Sequence, residues 1–321
     1  MGRWFNFKIM KNINSINDLV DYLDIDVKYF NHILYDLKDN QKYKYFEIPK
    51  KSGGVRNIYA PIPVLKIIQS KISEYLYSVY KPTKASHGFC LQRDILTNAK
   101  QHFNKRIIYN LDLKDFFPSI NSQRIFGLFK KIPFNLDTKT ASVLTKICTF
   151  NNFLPQGSPT SPVLTNFICR KLDHRLIHLA RKHYCYYTRY ADDITISSTR
   201  YKMPNNLIQQ TKTIILEEGF KVNNNKERLE NHYRRQEVTG LIVNTKPNVS
   251  RKYIRNIKSV LHNWGLDGLE FTSIRYSVNH NINMVNSITG KINFIGYIRG
   301  KNDKIYLYLL NKLQALKKRD L

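Results

Sequence analysis

Two apolar, strand-like stretches of this chain end on carboxylates, and that pattern restricts its folding more than any other feature. Arg106-Ile107-Ile108-Tyr109-Asn110-Leu111-Asp112 reads as a buried strand closed by an aspartate. Eighty residues on, Ala191-Asp192-Asp193 sits between two further strand-like stretches, 184–190 and 194–198, as the turn of a hairpin. Carboxylates at the ends of apolar strands are costly unless something neutralises them. Each acid must therefore be solvated in its own turn, or the acids must be gathered on a shared cation. Taken alone, an Asp-Asp turn is most often a solvated turn. Between the two sites, however, lies Leu154-Pro155-Gln156-Gly157-Ser158-Pro159-Thr160-Ser161-Pro162. This string breaks the chain repeatedly before launching a helix, as a loop shaping a nucleotide pocket does. A plain loop before a helix explains the prolines but not their coincidence with both acidic sites.

Magnesium suits such carboxylates, because it takes oxygen ligands, keeps several waters and accepts the rest from substrate phosphates. Two such ions can activate a sugar hydroxyl and stabilise a departing pyrophosphate. The charge balance points the same way: 52 Lys and Arg against 24 Asp and Glu leave a net charge of +28, which suits a polyanionic partner. An AT-rich genome would account for part of the lysine content, but not for the motifs. A hydrophobic fraction of 42% over 321 residues argues against general disorder and allows two or three subdomains. No apolar run reaches the roughly 18 residues of a membrane span, and the N-terminus lacks a secretory signal pattern. The expectation is an intracellular protein without a membrane partner. Cys90, Cys148, Cys169 and Cys185 are scattered, so neither a zinc knuckle nor a disulfide frame is indicated. His174 and His178 lack the glutamate of a zinc-protease helix.

The remaining pattern is an α+β order. Residues 15–38 read as two short helices opened by a Ser15/Asp18 capping box. Strands at 43–49 and 55–60 flank the basic turn Lys50-Lys51-Ser52-Gly53-Gly54. Helices are predicted from Pro63 to Tyr80, near 121–131 and 138–149, from Ser161 to His183, and at 205–218. A strand at 219–223 and a strand pair near 237–245 follow. From 251 onward the chain reads as helical, with thirteen Lys and Arg against four Asp and Glu.

In this order the elements resemble the palm of reverse transcriptases. Leu111-Asp112-Leu113-Lys114-Asp115-Phe116-Phe117 matches the first acidic motif, Leu154 to Pro162 matches LPQG-x-x-x-SP, and Tyr190-Ala191-Asp192-Asp193 is the Y-x-D-D box. The resemblance spans roughly residues 40–245. It implies a right-hand polymerase fold with fingers, a palm whose small antiparallel sheet carries the catalytic aspartates, and a helical thumb. The implied divisions are 1–105 for N-terminal helices and fingers, and 106–235 for the palm, with fingers helices inserted at about 121–155. Residues 236–250 would be primer-grip-like strands and 251–321 a basic thumb gripping the template–product duplex. A helix bundle with a solvated basic face is the plainer reading of that end.

The implied activity is that of an RNA-directed DNA polymerase, a nucleotidyltransferase. Asp112, Asp192 and Asp193 would be its catalytic and metal-binding residues, with the carbonyl of Leu113 as an additional ligand of two Mg²⁺ ions, for which Mn²⁺ can substitute. Arg56 would meet the incoming triphosphate, assisted by Lys50 or Lys51. Asp115 and Phe116 would border the triphosphate and sugar. Phe117 would be the aromatic steric gate against a 2′-hydroxyl, although core packing also accounts for an aromatic there. Gln156 would support nucleotide and template. Lys226 would meet the triphosphate and protonate pyrophosphate, its plainer alternative being a surface lysine.

Two short patterns narrow the subtype. Asn98-Ala99-Lys100-Gln101-His102 fits the N-A-x-x-H motif of retron enzymes, and Val238-Thr239-Gly240 fits their V-T-G motif. By resemblance Asn98, His102, Val238, Thr239 and Gly240 contact RNA; a helix-capping Asn and an ordinary turn glycine are the plain alternatives. The retron resemblance implies a dedicated structured non-coding RNA as template and primer, deoxynucleotides as substrates and an RNA–DNA duplex as product. It also implies priming from an internal 2′-hydroxyl to give RNA-linked single-stranded DNA (msDNA), a role in antiphage defence in the bacterial cytoplasm, and an effector protein as a further partner. No RNase H, endonuclease or maturase extension is visible, so template removal is expected to fall to a separate enzyme. Competing readings are a group II intron-like or abortive-infection reverse transcriptase, an RNA-dependent RNA polymerase, against which Phe117 argues, and a non-catalytic RNA-binding or toxin-restraining subunit.

Overall fold

The strand that carries Asp112 is buried over its whole length except its last residue, as its apolar sequence requires. In the computed structural model, which describes residues 13–50, 53–276 and 283–320, the chain divides into two compact units. The first comprises Met1–Asp94, Asn110–Ile196 and Met203–Arg228; the second comprises Ile95–Tyr109, Ser197–Lys202 and Leu229–Leu321. Among the described residues no helix is long and apolar enough to cross a membrane.

The N-terminal helices α1 (Ile16–Leu23) and α2 (Val27–Asn31) begin on side-chain caps. Ser15 and Asp18 form the expected capping box, and Asp26 accepts from the Tyr29 N–H. A π-helical turn, His32–Asp36, and the short α3 (Asp39–Lys42) lead into the hairpin of β1 (Tyr43–Pro49) and β2 (Val55–Pro61). Gly53 and Gly54 turn this hairpin with φ of 87° and 76°, which only glycine adopts freely; Lys51 and Ser52 lie outside the described residues. Then follow α4 (Pro63–Val79), α5 (Ile95–Ala99), β3 (Ile107–Lys114), α6 (Ser122–Phe129), α7 (Thr138–Cys148), α8 (Ser161–Ile168) and α9 (Arg170–Lys182). The single helix expected from Ser161 to His183 is thus two, because Cys169, with φ −76° and ψ −2°, breaks the helical geometry between them.

The hairpin β4 (Tyr186–Tyr190) and β5 (Asp193–Ser198) is followed by α10 (Asn205–Glu217) and by β6 (Lys221–Val222), shorter than the 219–223 expected. Gly219 stops α10 in the left-handed conformation at φ 78°, and the Phe220 N–H returns to the Ile215 carbonyl, so the chain is still closing the helix there. After β7 (Arg228–Asn231) come the hairpin β8 (Glu237–Val238) and β9 (Leu241–Ile242), and α11 (Arg251–Tyr276), α12 (Met284–Arg299) and α13 (Lys304–Asp320). A non-helical Gly268 interrupts α11.

The central sheet has the order β4-β5-β3-β6, with β7 also paired to β3. The β3–β6 pairing is antiparallel, and the β3–β5 ladder runs from Leu113–Asp192 at one end to Arg106–Ser198 at the other, as an antiparallel pair must. In the first unit α9 packs on β4 and α10, and α10 on β6. The second unit has its own core, in which α11, α12 and α13 gather around Trp264, Ile292 and Leu309 with Val238 and Leu241 of the small hairpin. The indole of Trp264 donates to Asp320 Oδ2 at 2.6 Å.

The first unit also contains a fully buried ion pair. Arg189 on β4 and Asp173 on α9 are both solvent-free, with Nε–Oδ1 and Nη2–Oδ2 distances of 2.8 Å. Asp173 also accepts from Tyr187 at 2.8 Å and Thr83 at 3.2 Å. Arg189 further donates to the Ala191 carbonyl at 3.1 Å, Asn166 Oδ1 at 3.2 Å and Ser86 Oγ at 3.3 Å. With every fork position used, this buried guanidinium tolerates no loss of its counter-ion. Asp173→Ala is expected to lower unfolding stability by about 3–5 kcal/mol, the usual cost of stranding one buried charge. Denaturant titration measures this, and a loss below about 1 kcal/mol, typical of an exposed pair, would show that the pair is not the buried anchor described.

Candidate active site

The three aspartates come together through backbone pairing in the first unit. The Leu113 N–H donates to the Asp192 carbonyl at 3.0 Å, and the Asp112 carbonyl accepts from the Asn223 N–H at 2.8 Å. Asp112 at the end of β3 is therefore beside the turn between β4 and β5. That turn has two residues, Ala191 and Asp192, and Ala191 carries φ of 56°. A tight hairpin turn demands positive φ there, and glycine is the usual solution. An alanine persists because Arg189 holds its carbonyl from below. Gly88 presses on the same turn: a Cβ on Gly88 would lie 2.3 Å from the Ala191 nitrogen, so no other residue fits.

Burial and neighbouring charge make the two acids of the turn weaker. Burial, and then the charge of Asp112, pushes the Asp192 carboxyl above the usual carboxylate range. Burial followed by Asp192 and Asp112 pushes Asp193 up to about 7. Asp193 as a residue is exposed, so solvent tempers the size of this rise more than its direction. Cations oppose it: Lys226 and Arg56 act on Asp192, and Lys226 and Arg228 on Asp193. Lys226 Nζ lies 2.8 Å from Asp112 Oδ2, and this hydrogen bond raises the lysine's own pKa. Asn223 Nδ2 donates to the other Asp112 oxygen at 3.3 Å.

Among the described residues no three His, Cys, Asp or Glu side chains form a ready-made metal cluster. The donor chemistry nevertheless fits a hard divalent cation: only oxygens, gathered closely enough that the charge of Asp112 helps to raise Asp192 and Asp193. The ammonium of Lys226 supplies the counter-charge on Asp112.

Around the acids, the LPQG loop is bound to β2. The Gln156 carbonyl accepts from the Tyr59 N–H at 2.8 Å, and a Cβ on Gly157 would meet the Tyr59 carbonyl oxygen at 2.7 Å. Ser161 Oγ donates back to the Pro155 carbonyl at 2.7 Å, and Ser158 Oγ to Gln69 at 2.8 Å. The Gln156 side chain is half-buried, and Arg56 is exposed on β2. Asp115, exposed and at φ 48°, opens a turn closed by the Ser119 N–H on its carbonyl at 2.8 Å. Phe117 is half-buried. Phe116, expected to border the triphosphate and sugar, is 4% exposed and its ring packs against Phe220, which leaves its backbone as the part available to a nucleotide.

The two retron-type patterns meet in the second unit. Val238-Thr239-Gly240 is a two-residue turn between β8 and β9, with φ of 47° at Thr239 and 82° at Gly240, the backbone of a type I′ hairpin. Thr239 Oγ1 donates to the Ile95 carbonyl at 3.3 Å and accepts from Asn98 Nδ2 at 3.5 Å. His102 Nδ1 lies 2.7 Å from Ser197 Oγ. Asn98, His102 and Val238 are buried, so of the five residues expected at RNA only Thr239 and Gly240 reach the surface. Of the buried three, Asn98 and His102 bond Thr239 and Ser197 inside the unit, while Asn98 Oδ1 is buried without a hydrogen-bond partner among the described residues.

Sequence reading passed over Ser86, Gly88, Asn166, Asp173, Arg189, Asn223 and Arg228. The one visible signal was Arg189 itself, a charge in the middle of a β-rich run.

Known proteins share this sequence pattern and this fold. The reverse transcriptase (RNA-dependent DNA polymerase) family model matches residues 48–267. The chain is 33% identical over 253 residues to the retron Ec86 reverse transcriptase of Escherichia coli, covering 78% of each. It is 36% identical over 238 residues to the retron Mx65 enzyme of Myxococcus xanthus and 35% identical over 253 residues to the retron Mx162 enzyme. Those two alignments take in 68% and 69% of this chain but 55% and 52% of the relatives, so it spans about half their length. A solved telomerase from Candida albicans, in complex with a TWJ fragment of telomeric RNA, shares the fold. Its TM-score is 0.51 at 12% identity, over 85% of this chain and 63% of that one.

The raised acids have a measurable consequence. A folded-state pKa above the unfolded value of 3.8 means the folded chain holds the extra proton as pH rises, so stability falls between about pH 4 and pH 7. In chelator-treated protein, Asp193→Asn is expected to raise the melting temperature at about pH 8 and to leave it nearly unchanged at about pH 4. Equal shifts at both pH values would show that Asp193 ionises normally.

Proposed function

The chain belongs to the reverse transcriptase family and to its retron branch, and from that premise we propose that Asp112, Asp192 and Asp193 are the catalytic centre of its RNA-directed DNA polymerase activity. The observation that carries the assignment is the convergence of the three aspartates through the β3–β5 pairing, close enough that the charge of Asp112 acts on both Asp192 and Asp193. Their side chains, with the Leu113 carbonyl, would hold two Mg²⁺ ions, or Mn²⁺ in their place. When bound, that pair supplies activation of the primer hydroxyl and neutralisation of the departing pyrophosphate.

The chain's own residues do the rest. Lys226, released from Asp112 once another cation neutralises that acid, is within reach of the triphosphate and can give pyrophosphate a proton. Arg56 draws the triphosphate towards the acids, as its influence on Asp192 supports. The Asp115 turn and the Phe116 backbone border the sugar and phosphates, and Gln156, on a loop fixed to β2, supports nucleotide and template. Phe117 excludes the 2′-hydroxyl and so selects deoxynucleotides.

The substrate is a dedicated structured non-coding RNA, which serves as template and, through a 2′-hydroxyl, as primer. The product is RNA-linked single-stranded DNA, made as part of antiphage defence in the bacterial cytoplasm, with an effector protein as a further partner. Residues 1–105 would supply N-terminal helices and fingers, 106–235 the palm with fingers helices inserted at about 121–155, 236–250 primer-grip-like strands and 251–321 the basic helical thumb. The basic residues of α11 to α13, among them the exposed Arg251, Lys252, Arg255 and Lys258, give the duplex its electrostatic grip. Thr239 and Gly240 present the V-T-G turn to RNA, and Asn98 and His102 act behind it by fixing the surrounding chain.

Two measurements test this. Asp192→Asn and Asp193→Asn should each reduce Mg²⁺-dependent deoxynucleotide incorporation on RNA by at least about 10²–10³-fold, the scale of removing one preorganised electrostatic partner, while RNA binding persists. Undiminished synthesis would remove the assignment. Expression of the chain with its neighbouring genomic DNA should yield a small DNA covalently joined to RNA; DNA that is entirely free would contradict the branched-primer reading.

A further inference from the structure

The segment Ala85-Ser86-His87-Gly88-Phe89 belongs to none of the three acidic or loop motifs, yet it touches both the catalytic turn and the sugar gate. Ser86 bridges Arg189 as a short parallel pairing, the His87 N–H donates to the Arg189 carbonyl at 2.8 Å, and Gly88 abuts Ala191. The next residue, Phe89, stands at φ 55°. A bulky side chain in the left-handed region is a genuine outlier, and such outliers persist where the surroundings over-determine them. Here the determinant is Asn166 on α8, which is solvent-free and whose Nδ2 donates to the carbonyls of both Gly88 and Phe89 at 3.0 Å.

The strained backbone delivers the ring to a particular place. Phe89 is half-buried, and its centroid lies 6.1 Å from that of Phe117, at an interplanar angle of 46°. Phe117 also meets Phe116 edge-on at 5.5 Å, and Phe116 is fixed in the core against Phe220 at 5.8 Å. The Phe117 ring therefore has one aromatic neighbour that is immobile and one, Phe89, held by a clamped, strained loop. A gate excludes a hydroxyl only if its ring cannot retreat when the hydroxyl presses on it. A glycine would take the Phe89 backbone geometry without strain, but would leave that side of Phe117 unsupported.

We propose that Phe89 is a positioning residue for nucleotide selection: it backs the Phe117 ring and thereby sets how strongly ribonucleotides are excluded. This rests on the reading of Phe117 as the sugar gate. The test compares the ratio of deoxynucleotide to ribonucleotide incorporation efficiency for the full chain and for Phe89→Ala, Phe89→Gly, Phe89→Leu, Phe117→Ala and the Phe89→Ala/Phe117→Ala double variant.

Phe89→Ala and Phe89→Gly should each lower the ratio by about three- to tenfold, the range one aromatic pair supports. Phe89→Leu should recover part of it, and the double variant should be no more permissive than Phe117→Ala alone. Phe89→Gly relieves the backbone while removing the ring, so it keeps the comparison valid if Phe89→Ala folds poorly. Full ribonucleotide exclusion in Phe89→Gly, with Phe117→Ala permissive, would overturn the role of Phe89 and leave the gate standing. Full exclusion in Phe117→Ala would overturn both.

Discussion

The site depends on holding like charges together. Burial, then the charge of Asp112, opposes ionisation of Asp192, and burial, Asp192 and Asp112 oppose that of Asp193, so left to their side chains the acids would separate into solvent. What prevents this is main-chain pairing: Leu113 N–H on the Asp192 carbonyl, and Asn223 N–H on the Asp112 carbonyl. The acids cannot move apart without opening the β3–β5 or β3–β6 ladder. Repulsion is thus converted into affinity for cations, provisionally met by Lys226. A site of this kind is poised for exchange, since anything that brings more positive charge to Asp112 frees the lysine for another anion.

The buried pair of Arg189 and Asp173 is the second layer of the same arrangement. An apolar pair of similar volume would be as stable or more so, since desolvating two charges consumes most of their attraction. Stability alone therefore does not account for it. No apolar side chain, however, can at once grip the Ala191 carbonyl, Ser86 Oγ and Asn166 Oδ1, as the Arg189 fork does. The ion pair is best understood as the means of fixing one peptide carbonyl of the Ala191-Asp192 turn. Asp173 is there so that the guanidinium can be.

These two layers differ in how far sequence exposes them. The acids were legible because an Asp closing the run Ile107-Ile108-Tyr109-Asn110-Leu111 violates its own apolar pattern, and because proline-rich punctuation lies between the two sites. The hairpins and most helices were legible from periodicity and caps, Ser15 with Asp18 being the plainest case. Asp173 was not, because it sits in Arg170-Lys171-Leu172-Asp173-His174-Arg175, where it looks like one more charge on a solvated helix face. Its burial follows from the packing of α9 on β4, a non-local fact. Which ring of Phe116 and Phe117 enters the core was not legible either, because adjacent phenylalanines on an irregular turn carry no periodicity to decide it. The split at Cys169 and the shortened β6 were invisible because each is decided by a single backbone dihedral setting.

The same consideration bears on what the short motifs encode. Eleven non-glycine residues among those described have positive φ, and six are Asn or Asp, which visit that region readily. Of the other five, Ala191 lies in the Y-x-D-D box, Thr239 in V-T-G, and Phe89 against the Phe117 ring. Each is tied by a specific bond: the Ala191 carbonyl to Arg189, the Thr239 hydroxyl to Ile95, the Phe89 carbonyl to Asn166. Glycine at any of these positions would relieve the backbone but enlarge the conformational freedom of the loop. The chain accepts strain where a loop must hold one shape. Asn98 and His102, both buried, bond Thr239 and Ser197 in the same unit, so these motif residues also help to hold the surrounding chain in one shape.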